Sequence, residues 1–273
     1  MNKPILAFIG AGNMANSIIG GLVTKGYPTA NIIACDPLAA NLETLHANYG
    51  IETSADNAAA ARADAVVLAV KPQVMKAVAE PLRTHLAKHP VIISIAAGIP
   101  MASLSRWLGE DQAIVRCMPN TPALVQAGAS GLFANAATSA AQRAIAGEIL
   151  GAVGLVTWLE NEALLDAVIA VSGSGPAYFF LFMEAMIDAG VAQGLSPEAA
   201  RQLTLQTALG AATLAHASDQ SVAELRRRVT SPGGTTEQAV QSFENSDLRG
   251  IVAAAMQACA DRAVAMAEEM GDE

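Results

Sequence analysis

Apolar positions along the first 160 residues fall into two alternating kinds of run. Short unbroken runs rich in β-branched residues occupy 5–9, 32–35, 65–70, 91–95 and 113–117. Each stops at a glycine, a proline or a charged residue, as strands buried on both faces do. Between them, apolar residues recur at helical spacing: Ile18, Ile19, Leu22 and Val23, then 38–49 closed by Gly50, then 74–86 and 101–108. Two more strand candidates, 130–135 and 155–159, flank a helix over 139–150. Strands alternating with helices predict an α/β domain built on a doubly wound parallel sheet.

From about Glu160 the strand signal stops. Helices are predicted over 162–171, 176–191, 197–217, 221–229, 237–243 and 248–270, which makes residues 161–273 an all-α second domain after a sheet domain of residues 1–160. Ser221 and Glu224 have capping-box spacing. The helix over 176–191 opens with Pro176 in its first turn. It carries Tyr178, Phe179, Phe180, Leu181, Phe182, Met183, Met186 and Ile187, apolar nearly all the way round. Such a helix needs cover on all sides, more than a small helical domain supplies alone; a partner subunit supplies it. Residues 167–183 carry no charge, the lower limit of length for a membrane span. Asp166 and Glu184 bracket the stretch and Ser172-Gly173-Ser174-Gly175-Pro176 interrupts it, so it reads as a loop feeding a buried helix.

Composition narrows the function. Of 273 residues, 52% are hydrophobic and 15% charged, a balance that calls for extensive buried surface, some of it between subunits. The net charge of −9 argues against a nucleic-acid surface. Cys35, Cys117 and Cys259 are far apart, without Cys-x-x-Cys, which fits a reducing, cytoplasmic location and buried thiols rather than a disulfide framework. His46, His85, His89 and His216 show no metal-ligand spacing, and no metal is expected. The N-terminal apolar run is too short for a signal peptide.

The candidate chemistry begins where the first strand ends. Ile9-Gly10-Ala11-Gly12-Asn13-Met14-Ala15 joins that strand to a helix. Gly10 allows a tight turn, Gly12 lets backbone approach a phosphate, and Ala15 is small enough for helix to pack on strand. The helix N-terminus adds free N–H groups and partial positive charge. Asp36 ends the second strand at the spacing of a carboxylate that accepts ribose hydroxyls. Together these residues predict a dinucleotide site. The other strand ends, Ala69-Val70-Lys71-Pro72, Ala96-Ala97-Gly98 and Met118-Pro119-Asn120-Thr121, belong on the same rim.

Two hydroxyl-and-glycine segments stand out in the helical half: Ser172-Gly173-Ser174-Gly175-Pro176 and Thr230-Ser231-Pro232-Gly233-Gly234-Thr235-Thr236. Each can form an anion nest from successive N–H groups. Each also reads as a plain N-cap, through Ser174 in one and Thr235 or Thr236 in the other. With no strong acid or base in evidence, the parts imply hydride transfer to a small anionic imine, whose carbon accepts hydride without an enzyme acid protonating an alkoxide.

These motifs, with Arg116-Cys117-Met118-Pro119-Asn120-Thr121-Pro122, resemble those of the pyrroline-5-carboxylate reductase family essentially from end to end. The segment 230–236 is close to the family signature. The resemblance implies a Rossmann-type domain followed by a C-terminal dimerisation domain, and NADPH- or NADH-dependent reduction of (S)-1-pyrroline-5-carboxylate to L-proline. It implies cofactor contacts from Ile9, Gly10, Ala11, Gly12, Asn13, Met14, Ala15, Asp36, Asn57, Ala69, Val70, Lys71, Pro72, Ala96, Ala97 and Gly98. It places the substrate with Ser174, Thr230, Ser231, Gly233, Gly234, Thr235 and Thr236. Thr236 matches the threonine proposed to hydrogen-bond the ring nitrogen. It further implies homodimers through interleaved C-terminal helices, often gathered into decamers, and no nucleic-acid or membrane partner. Hydroxyacid dehydrogenases of similar architecture generally use a lysine early in the second domain, and no lysine follows Lys88. Asp36 favours NADH by repelling a 2′-phosphate, while family habit favours NADPH.

Overall fold

The structure is a computed structural model that describes residues 3–271. Its strands are β1 (Leu6–Ile9), β2 (Ile32–Cys35), β3 (Glu52–Ser54), β4 (Ala65–Leu68), β5 (Val91–Ser94), β6 (Ile114–Met118), β7 (Gly128–Ala134) and β8 (Gly154–Trp158). They form one sheet in the order β3-β2-β1-β4-β5-β6-β7-β8. Five helices serve it: α1 (Asn13–Thr24), α2 (Ala39–Tyr49), α3 (Met75–Leu82), α4 (Met101–Leu108) and α5 (Ala140–Gly151). Side chains alternate across β1, and the two sets lie in different cores. Leu6 and Phe8 pack with Ile18, Ile19 and Leu22 of α1, Leu45 of α2 and Leu150 of α5. Ala7 and Ile9 pack with Met75 and Leu82 of α3 and with Leu104 and Trp107 of α4. Burial on both faces is why these strands read as continuous apolar runs rather than alternating ones.

Two features of the sheet depart from the pattern-based expectation. β3 was missed because Glu52, Thr53 and Ser54 are polar, and an edge strand of three residues leaves no apolar run. β1 to β6 are parallel, but β7 runs antiparallel to β6, so the sheet is only mostly parallel. Residues 119–127 are too few for the crossover that a parallel return needs.

The remaining helices are α6 (Leu164–Val168), α7 (Gly175–Ala192), α8 (Pro197–Ala217), α9 (Val222–Arg228), α10 (Thr235–Asn245) and α11 (Leu248–Gly271). The chain divides into two compact units, one running through Ser174 and resumed from Cys259, the other Gly175–Ala258. Within the first unit the end of α11 lies on the sheet rim, where a Cβ on Gly98 would stand 3.3 Å from the Met270 sulfur. The expected loop at 172–176 is helical instead. α6 passes through a π-helical turn, Ile169–Gly173, in which the Ser174 N–H donates to Ile169 O at 2.8 Å. That bond removes the Ser174 N–H from any anion nest, and Ser174 caps no helix.

In the second unit, α7 leaves Phe179, Phe180, Leu181 and Phe182 exposed by 46–68% within a single chain. The segments Leu164–Ala192 and Leu248–Met270 are long and apolar enough to cross a membrane by length and composition. α9, α10 and α11 are joined by Glu244, which accepts from Arg226 at 2.8 Å and from both Nε and Nη2 of Arg249. The guanidinium hydrogen bonds hold its carboxyl below the usual range.

Burial also sets two kinds of titration. The thiols of Cys35 and Cys117 are buried and pushed up, Cys35 to about 11, so neither is a nucleophile. Tyr27 is buried, its hydroxyl donating to Pro4 O at 2.7 Å. Desolvation, with Glu148 and Asp64 nearby, lifts its phenol from 10.0 to about 12. Because the folded value is the higher one, ionisation of this group costs the fold nothing below the unfolded phenol value, and stability falls as pH rises from there to the folded one. We expect phenolate absorbance to show a late ionisation near pH 12, and Tyr27→Phe to remove that step.

Candidate active site

The sheet order reverses at β1, where the chain leaves β1 for β2 on one side and β4 carries the sheet on the other. The turn after β1 is squeezed from two directions. The Gly10 N–H donates to Cys35 O at 2.8 Å, tying it to the end of β2. A Cβ on Gly10 would stand 2.6 Å from Ala69 O at the end of β4, and its φ of +94° is itself a glycine conformation. Gly12 is different. It is the N-cap of α1 with φ −75°, and a Cβ there would meet nothing within 4 Å. The protein's own packing therefore does not require glycine at 12, whereas a ligand brought against the backbone there would.

The first rung of α1 is the Asn16 N–H to Gly12 O, at 2.9 Å. The N–H groups of Asn13, Met14 and Ala15 thus lie outside the helical ladder, at the positive end of the helix. Ala15 is 1% exposed and packs in the same core as Phe8, as close strand–helix contact demands. These features fit the pyrophosphate of a dinucleotide: donors, open space over Gly12 and a favourable dipole.

Asp36 is not the open acceptor that the sequence suggests. It is 7% exposed. Its Oδ2 accepts the Ala11 N–H at 2.7 Å and the Asn41 side-chain amide at 3.3 Å, and its Oδ1 accepts the Leu38 N–H at 2.8 Å. Asn41 and Leu38 went unnoticed in the sequence, where nothing distinguishes a loop-binding carboxylate from a ribose-binding one.

The other expected contacts lie at carboxyl ends of parallel strands: 69–72 after β4, 96–98 after β5, and Asn57 beyond β3 at the start of a 3-10 turn capped by Asp56. Lys71 is exposed and Ala96 buried. A tether missed in the sequence supports this rim. Glu162 pairs with Arg116 of β6 and accepts the Met101 N–H, the first of α4, at 2.7 Å. Asn120 accepts from Ala129 N–H at 2.8 Å and donates to Ser172 O at 3.0 Å.

In the second unit, the expected N-cap at Thr235 or Thr236 falls instead to Gly234, which has no side chain to cap with. Thr235 and Thr236 occupy the first turn of α10. Gly233, at φ +71°, turns the chain and donates its N–H to Glu237 Oε2 at 2.7 Å. The Gly234 N–H donates to Ser231 O at 3.0 Å, and the Thr230 hydroxyl to Arg226 O at 2.7 Å. The first helical rung is Gln238 N–H to Gly234 O, which leaves the N–H groups of Thr235, Thr236 and Glu237 outside the ladder. A carboxylate already sits on this turn, but it is the chain's own.

A strand order of 3-2-1-4-5-6 with a glycine turn at its reversal is the architecture of a dinucleotide-binding oxidoreductase domain. Comparison with known proteins agrees. Residues 5–98 match the family described as NADP oxidoreductase, coenzyme F420-dependent, and residues 162–266 match pyrroline-5-carboxylate reductase dimerisation. A pyrroline-5-carboxylate reductase of Pseudomonas aeruginosa is 56% identical over 99% of this chain and all of its own length. The solved structure of a Coxiella burnetii pyrroline-5-carboxylate reductase superposes with a TM-score of 0.94 at 44% identity, covering 99% of both chains. That of the Plasmodium falciparum enzyme, with NADP bound, gives 0.85 at 30% identity over 98% of this chain and 99% of its own. The chain belongs to the pyrroline-5-carboxylate reductase family.

The two glycines of the turn should respond oppositely to a methyl group. Gly10→Ala forces a strained φ and a backbone clash and should cost at least about 2 kcal/mol in urea unfolding. Gly12→Ala should stay within about 1 kcal/mol of the parent.

Proposed function

We propose that the chain reduces (S)-1-pyrroline-5-carboxylate to L-proline with NADH or NADPH, the last step of proline biosynthesis. The observation that carries the reading is the full-length identity to enzymes of that name, with both glycine-bearing turns present in this chain. The nicotinamide supplies hydride to the imine carbon. Ile9, Gly10, Gly12, Asn13, Met14 and Ala15 hold the dinucleotide, with Asn57, residues 69–72 and residues 96–98 along the rim. Ser231 and the N–H groups of Thr235 and Thr236 bind the substrate carboxylate, and Ser174 and Thr230 contribute hydroxyls to substrate binding. Thr236 donates to the ring nitrogen and assists its protonation. In this reading, residues 1–160 handle the dinucleotide and 161–273 handle substrate and subunit pairing.

The functional unit is a cytoplasmic homodimer, with decamers as a higher assembly. A second copy is the occupant that fits the exposed faces of α7 and α11, since residues 162–266 match a dimerisation family.

Oxidation of NADH or NADPH on mixing with the imine tests the activity, and no absorbance decay with either cofactor would refute it. Thr236→Ala should lower kcat by more than about tenfold, roughly 1.4 kcal/mol of barrier. A smaller loss would remove Thr236 from the chemistry. Phe179→Glu should shift the protein toward monomers in light scattering, with kcat falling in step.

A further inference from the structure

We propose that Asp36 acts as the positioning residue of the phosphate-binding turn, rather than as the residue that chooses between NADH and NADPH. The inference rests on the reductase reading, because it concerns the turn that holds the dinucleotide.

A carboxylate beyond the second strand normally offers its oxygens to the adenosine ribose. Here both oxygens already have protein donors, and 7% exposure leaves little of the group in reach of a ligand. The shortest of these bonds, 2.7 Å, takes the peptide N–H of Ala11, the residue between the two glycines. Its neighbour is held by the Gly10 N–H to Cys35 O bond at 2.8 Å. Two consecutive peptides of the turn are thus bonded to two consecutive residues at the end of β2. Asp36 is held there in turn by its own N–H, which donates to Ser54 O of β3 at 3.2 Å.

Two consequences follow. The Ala11 N–H is withdrawn from the donors that face a pyrophosphate, which leaves the N–H groups at the start of α1. The direction of those groups is set by where the 10–11 peptides sit, and a carboxylate accepting two backbone N–H groups fixes that better than a hydroxyl or an amide. Loss of the clamp therefore harms any dinucleotide equally, because both cofactors carry the same pyrophosphate.

The test uses the full-length protein, its Asp36→Asn and Asp36→Ser variants, and NADH and NADPH binding followed by nicotinamide fluorescence. Asp36→Asn keeps one carbonyl acceptor in place; Asp36→Ser keeps none at that reach. The expected order for both cofactors is parent, then Asn, then Ser, with Ser weakened at least tenfold and the NADH/NADPH ratio of Kd unchanged within threefold. Michaelis constants for the cofactor should rise with little change in kcat. A variant that weakens NADH while tightening NADPH would overturn the inference and make Asp36 the selector. So would unchanged binding of both. Hydrogen exchange on the unmutated protein gives a reading that needs no variant to fold. The Ala11 amide should be slow without cofactor, and the amides of Asn13 and Met14 should slow only when NADH or NADPH is added. Fast exchange at Ala11 would overturn the clamp. Failure of the unmutated protein to bind either cofactor would overturn the reductase reading itself.

Discussion

β1 has helices on both faces and a strand on each edge, so the chain leaving its carboxyl end has one way out. It must pass between the ends of β2 and β4, and the gap admits no side chain at Gly10, where Ala69 O stands 2.6 Å from the position of a Cβ. That constraint determines the direction of α1 and places its N-terminal N–H groups at the rim. It also explains why the end of β2 carries a carboxylate in a buried position. Desolvating a carboxylate is costly unless donors replace water, and the peptide that has just squeezed past β4 supplies one.

How much of this was legible depended on whether a residue's neighbours lay close in the chain. Continuous runs such as Ile32-Ile33-Ala34-Cys35 announced strands because both faces are apolar. β3 gave no such signal, since an edge strand of polar residues is defined only by its partner. The antiparallel β7 was visible as a strand but not in its direction, which loop length decided. Gly10 and Gly12 were recognised together, yet for different reasons that only coordinates separate: one is required by Ala69, the other by nothing in the protein. The donors around Asp36 were hidden for a similar reason. Spacing identified the residue, while its donors at 11, 38 and 41 had to be seen in three dimensions.

The helical half was misread where a continuous helix carries an extra residue in its turn. Ser172-Gly173-Ser174-Gly175-Pro176 has the composition of a loop, and proline after glycine usually begins a new helix. The π turn absorbs the interruption with the bond from Ser174 N–H to Ile169 O, so helix runs on both sides of it. Such bulges cluster at functional sites, because they redirect backbone groups without ending the element. The Ser174 hydroxyl in that segment accepts from the Cys259 thiol at 3.2 Å.

Both proposed ligands are anions, and the chain carries a net charge of −9. Long-range attraction therefore does not bring them in. At physiological ionic strength the Debye length is about 8 Å, so the global repulsion fades over a distance comparable with the sites themselves. Recognition falls to short-range dipoles, which the two turns supply in the same way: a glycine-bearing bend, an N-cap without a side chain and a first helical turn of N–H groups outside the ladder. In each, an internal carboxylate takes one backbone donor, Asp36 at Ala11 and Glu237 at Gly233. The pair differ in burial. Asp36 is sequestered, and besides the Ala11 N–H of the turn it accepts the Leu38 N–H and the Asn41 amide, so that contact acts as scaffold. Glu237 is partly exposed and takes one N–H, and its carboxylate lies beside the N–H groups that open α10. The sheet-borne turn can hold a fixed anion beneath it and still leave the backbone of Gly12 open, since a Cβ there would find only empty space.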